Sequence, residues 1–128
     1  MKFAAACLLA AVAASAQEAS KPQTSKKAAR FFDRRVAPIF QRRCLACHNQ
    51  ELKDGGISFL DRDSLLKGGS RGPAVVPGDP ERSVLIRAIR HNSDPQMPPG
   101  PKLPDKDIAT LTDWVRRGAP WGTSLSPR

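Results

Sequence analysis

Two cysteines stand close together in this chain and a histidine follows the second directly: Cys44-Leu45-Ala46-Cys47-His48. This is the C-x-x-C-H spacing of haem attachment. Two intervening residues let both sulfurs reach the vinyl groups on one edge of the macrocycle, and the adjacent imidazole then lies under the iron. A chain that carries this motif must fold around a large flat group rather than around its own side chains alone. Competing uses of the same residues fit less well. A thioredoxin-like thiol pair needs a βαβ context, and the chain offers no such pattern. A structural zinc needs four ligands, and beyond the first 16 residues the only His and Cys are Cys44, Cys47, His48 and His91. The expected cofactor is therefore one haem c, joined covalently at Cys44 and Cys47, with His48 as proximal iron ligand.

The other face of the iron decides the function, and the candidates are few. Apart from the initiator, Met97 is the single methionine, and His91 is the single histidine outside the motif. A lone methionine is ordinarily core filler. Met97, however, lies in Gln96-Met97-Pro98-Pro99, a polar stretch with no helical face to bury, and a proline-stiffened loop can hold a thioether on iron at low ordering cost. Met97 is the expected distal ligand, with His91 or an open position as alternatives. His/Met ligation raises the reduction potential and closes the iron to substrates, which suits single-electron transfer. An open or labile position would instead suit a haem enzyme or sensor for peroxide or gases. No catalytic dyad is visible, so an electron carrier is expected rather than an enzyme.

The 128 residues allow one domain. Lys2, the apolar run Phe3 to Ala14, and Ala14-Ser15-Ala16 read as a cleavable signal peptide over residues 1–16. This places the mature protein in the periplasm or otherwise outside the cytoplasm, and the run, which contains Cys7, is too short for stable membrane insertion. Residues 17–29, polar and Lys-rich, are expected to be a disordered basic leader. A cytochrome c domain is expected over 30–122 and a short tail over 123–128. Phe32, Val36, Ile39 and Phe40 recur at helical spacing, with Pro38 set to kink that helix or to start a second. Gly and Pro pairs break up residues 49–80 apart from a helical turn near Asp63 to Lys67. Asp79 and Pro80 read as N-cap and first residue of a helix ending near Arg90. Five prolines make 91–104 a stiff loop. Asp105 is expected to cap a last helix over 106–117, stopped by Gly118, with Ile108, Leu111, Trp114 and Val115 on its apolar face. The fold class is thus all-α, with three to four short helices and long Gly/Pro-rich loops around one haem.

With five Phe, two Trp and no Tyr, the chain supplies a thin core, and the haem-free polypeptide is expected to fold poorly. The net charge of +9 is spread along the chain, without the motifs or aromatic interleaving of a nucleic-acid binder. Its expected use is steering toward acidic-faced redox protein partners.

Several runs resemble the planctomycete-type cytochrome c domain. They are Phe31-Phe32, Val36-x-Pro38-Ile39, the Cys44 to His48 motif, Gly55-Gly56-Ile57, Leu65 to Gly69, Gly72-Pro73-Ala74, Val76-Pro77-Gly78 through Ala88, Met97-Pro98-Pro99, and Trp114-Val115 with Gly118 to Trp121. The resemblance implies a class I-like fold whose first and last helices cross beside the haem, with Met97 in the distal position. Such a domain is often one module of a larger protein, and its occurrence in so short a chain leads us to expect a free monomeric carrier or a small subunit. The resemblance also implies the Pro73 carbonyl on the proximal imidazole, with a plain turn at Gly72-Pro73 as the alternative. Arg87 and Arg90, one helical turn apart, are expected either on the propionates or on a solvated face, and Trp114 against either the haem or Phe32 and Phe40.

Overall fold

Ser25 begins the helical structure, because its hydroxyl accepts a hydrogen bond from the amide of Ala28 at 3.1 Å. The computed structural model describes residues 24–125. The expected signal peptide, the first part of the expected leader and the last three residues lie outside them. Helix α1 spans Lys26–Phe31, so ordered helix starts four residues before the expected domain boundary at 30. The lack of apolar periodicity in 17–29 hid a capped Ala-containing helix start.

From α1 the chain runs without a break through a π-helical turn, Phe32–Val36, into α2, Ala37–Arg43. Pro38 explains the sequence of turns. It has no N–H to give and would crowd the carbonyl four residues back in a continuous α-helix. The π-turn widens the helix before it, and Pro38 then falls in the first turn of α2, where no N–H is needed. Phe32, Val36, Ala37, Ile39 and Phe40 all turn inward and are buried.

Helix α3, Arg62–Lys67, is capped by Asp61, whose carboxylate accepts from the Asp63 amide at 2.9 Å. Helix α4 spans Val84–Ile89. The expected start at Asp79 and Pro80 is not made. Asp79 caps a single turn by accepting from the Arg82 amide at 3.1 Å. The chain then stops at Ser83, which is fully buried and accepts from the Val76 amide (2.9 Å) while donating to the Asp79 carbonyl (2.8 Å). The first two free amides of α4, on Val84 and Leu85, donate to the carbonyls of Pro73 and Ala74 at 3.2 and 2.9 Å. A long-range partner thus does what a local cap was expected to do.

Helix α5 spans Asp105–Arg116, with Pro104 at the cap position and Asp105 as its first residue rather than its cap. Asp105 and Asp107 in the first turn complement the helix dipole. Gly118 ends the helix with φ +94, and its amide returns to Val115 at 2.9 Å. Leu111, Trp114 and Val115 are buried to 0% exposure. The π-turn and α5 pack against one another through aromatic rings. Trp114 lies 6.0 Å from Phe32 and 5.5 Å from Phe40 between ring centroids, and Trp121 covers Phe32 at 4.1 Å. Among the described residues there is no strand, only isolated bridges at His48–Lys53 and Gly69–Gly72. The fold is all-α and cytochrome c-like.

Asp33, in the π-turn, fastens the C-terminal segment to this core. Its carboxylate accepts from the amides of Thr123 and Ser124, both at 2.9 Å, and from the Ser124 hydroxyl. A Cβ on Gly122 would overlap that carboxylate, so the fastening needs a glycine there. Burial pushes the Asp33 carboxyl upward, but the hydrogen bonds from Ser124 and Thr123 outweigh it and hold the group below its ordinary value of 3.8. The native state then binds its proton at lower pH than the unfolded chain does. The stabilisation is present above about pH 4 and is lost as pH falls through the folded value. Protection of the Ser124 amide, its exchange relative to the unfolded chain at the same pH, is expected to fall on acidification through this range. In Asp33→Ala that protection is expected to be lost already at neutral pH, and unchanged protection in that variant would contradict the fastening.

Candidate haem site

Helix α2 delivers the two cysteines. Its last turns carry straight into the motif, where the Phe40 carbonyl accepts from both Cys44 and Leu45 amides at 3.0 Å, and Cys44 accepts from His48 at 3.0 Å. The motif is thereby wound into tight turns with Cys44, Cys47 and His48 on one wall of a cleft. Asn49 locks the exit from the motif. Its amide donates to the Leu45 carbonyl at 2.9 Å, and its side-chain oxygen accepts from the amides of Glu51 and Leu52 at 2.9 and 2.7 Å. The His48 ring rests beside Phe59 at 5.2 Å, and Phe59 meets Phe40 edge-on at 4.8 Å, so the imidazole is backed by the core.

The cleft has a volume of about 410 Å³ and mostly apolar walls, a size and character usual for a cofactor site. Met97 lines the same cleft as Cys44, Cys47 and His48, and Leu85 and Ile89 from α4 form part of the lining. These two α4 residues were legible in the sequence as an apolar helix face, but not as the wall of a site. Two glycine loops meet at the floor. A Cβ on Gly69 would overlap the Gly55 carbonyl, and one on Gly68 would overlap the carbonyl of Gly72. The backbone can therefore close here only without side chains.

The residues present fit a haem. Burial pushes the Cys44 thiol up to about 12, against the opposing effect of the neighbouring Arg43 charge. A thiol held neutral is a poor agent of disulfide exchange, whereas a thioether carries no charge for burial to penalise. Among the described residues Nδ1 of His48 is buried with no hydrogen-bond partner, an expensive arrangement that native proteins retain mainly at functional positions. Among the described residues no cluster of three or more His, Cys, Asp or Glu is placed to hold a metal ion.

Residues 44–101 match the family model described as Planctomycete cytochrome C. Over that stretch the match supports a planctomycete-type cytochrome c domain. The matched stretch takes in both cysteines, His48, α3, α4 and Met97, and ends before α5. No curated protein and no solved structure matches the chain. The similarity over residues 44–101 points to a haem-binding c-type cytochrome domain. Among the described residues no helix is long and apolar enough to cross a membrane.

The expected haem surroundings fall elsewhere. The Pro73 carbonyl accepts from Val84 (3.2 Å), and Pro73 does not line the cleft. Arg87 is exposed beside a smaller hollow with Arg71 and Asp94, and Arg90 pairs with Glu81 at 2.8 Å. Trp114 belongs to the core behind the site, its indole N–H donating to the Pro120 carbonyl at 2.7 Å. Of the basic residues, the two on the cleft wall are Arg43 and Arg71, neither of them marked by any motif. His91 does not line the cleft.

Proposed function

We propose that this domain carries single electrons between exported redox proteins, with one haem c held by Cys44 and Cys47 and ligated by His48 and Met97. The observation that carries this reading is the meeting of those four side chains in one apolar cleft. Bound there, haem iron supplies the Fe(II)/Fe(III) couple. The chain's own part is to hold, orient and keep out water. Phe59, Leu85 and Ile89 are buried apolar walls. The Met97 amide donates to the Ala88 carbonyl at the end of α4 (3.0 Å), which sets the distal loop against the helix. A thioether placed so favours the reduced iron and raises the potential. The signal peptide reading supports a periplasmic setting for this exchange.

Acidic-faced proteins are the partners we propose, on the strength of the +9 net charge and of Arg43 and Arg71 at the cleft. Their association rates with this protein are expected to fall steeply between low and physiological salt, and rates flat over that interval would remove the docking idea. Ligation is tested by the near-infrared band that marks methionine bonding to ferric haem. The band is expected in the wild type and absent from Met97→Ala, which should also take up imidazole readily. A wild type without the band would move the reading to the second one, a haem enzyme or sensor with an open distal side.

A further inference from the structure

The distal loop contains a second residue whose geometry has a use. We propose that His91 is the positioning residue of the distal side, holding the Met97–Pro98 backbone so that the Met97 side chain faces the cleft. The proposal rests on Met97 being the distal ligand and adds what keeps it there.

Nε2 of His91 lies 3.1 Å from the Met97 carbonyl oxygen and 3.2 Å from that of Pro98. Both neighbours offer lone pairs only, so Nε2 carries the proton and donates. That nitrogen has no lone pair left for a metal, and the ring stands outside the cleft wall. The two carbonyls need such a donor. They lie in a proline-interrupted loop with no ladder of its own, where Pro98 and Pro99 give no N–H. Half-buried carbonyls of this kind are normally paired.

The backbone is bent to bring the ring there. His91 follows α4 directly and sits at φ +57, a left-handed conformation that a non-glycine residue holds when its surroundings require it. Its amide donates to Ala88 at 3.2 Å, and its carbonyl accepts from the Gln96 side chain at 3.1 Å. The Met97 amide donates to the same Ala88 carbonyl. His91 thus closes the loop from inside. The other ties, Arg71 to Asp94 and Arg43 to Pro101, are made by exposed side chains at the loop's outer parts, where such contacts are weak.

The test uses the holoprotein with His91→Gly and His91→Gln. Glycine removes the ring and suits the left-handed backbone, whereas glutamine restores a side-chain N–H of similar reach. Three readouts are taken: the methionine–iron band, the association rate of imidazole with ferric haem, and amide exchange at Met97. In H91G we expect a weakened band, and imidazole uptake and Met97 exchange each faster by about tenfold, the loss expected for a hydrogen bond at a half-buried site. H91Q should recover part of each. If glycine loosens the turn so far that holoprotein does not accumulate, His91→Asn makes the same comparison, since asparagine tolerates the left-handed region but its amide stops short of both carbonyls. A wild type with the band, together with a ring-less variant unchanged in all three readouts, overturns the role of His91 alone. A wild type without the band overturns Met97 ligation, and the role of His91 with it.

Discussion

Replacing Cys44 and Cys47 together with alanine is expected to abolish covalent haem and to leave a chain that does not fold cooperatively. The cleft they line measures about 410 Å³. Left without haem, its mostly apolar walls must face water or collapse, at a cost on the order of several kcal/mol. Small domains have only about 5–15 kcal/mol of net stability in total. Loss on this scale is not offset elsewhere, because Leu85, Ile89, Phe59 and Leu103 are at once core residues and cleft walls. The measurements are acid–organic extraction, which should leave pigment with the wild-type chain and strip it from the double variant, and far-UV circular dichroism through a thermal scan. A haem-free chain with native helix content and a cooperative melt would contradict the expectation.

Trp114→Ala is expected to destabilise the holoprotein by about 3–5 kcal/mol, as truncation of a buried aromatic does, while leaving iron ligation untouched. Trp114 has 0% exposure and packs on Phe32, Phe40 and Trp121. Its N–H is the donor that satisfies Pro120 at 2.7 Å, so the alanine variant loses both the packing and that bond. Trp114→Phe keeps most of the packing and should lose less, about 1 kcal/mol for the hydrogen bond plus a small cavity term. Denaturant titration of the haem-loaded variants reads the stability, and the methionine–iron band of the folded fraction reads the ligation. Because Trp114 does not line the cleft, the band should survive in both. Its loss in W114A at low denaturant would restore a direct haem role for this residue.

Several expected features depended on local pattern alone, and the structure departs from them where a distant partner intervened. Asp79-Pro80 has the chemistry of a helix start, but Ser83 is held by Val76 and Asp79, and the amides of α4 find Pro73 and Ala74. That same pairing occupies the Pro73 carbonyl. Arg87 and Arg90 share a helix face, yet Glu81 takes Arg90 and leaves Arg87 outside. The early start of α1 rests on Ser25, a cap within 17–29 that carried no apolar pattern to draw attention.

The Cys44 to His48 motif is different in kind. Its spacing alone sets which atoms reach a macrocycle edge, so haem attachment is legible without a fold. The count of methionines likewise narrows the distal candidates to Met97 or His91, and helical periodicity marks the buried faces of α2 and α5. Only the tertiary structure chose between the two candidates' positions. It set Met97 on the cleft wall and turned His91 back onto the loop carbonyls. It also sent Trp114 to the core and, among the described residues, left His48 Nδ1 without a partner. The physical reason is the range of the forces involved. Covalent reach and periodicity act over a few residues, whereas hydrogen-bond satisfaction and apolar burial are settled among whichever groups the closed chain brings together.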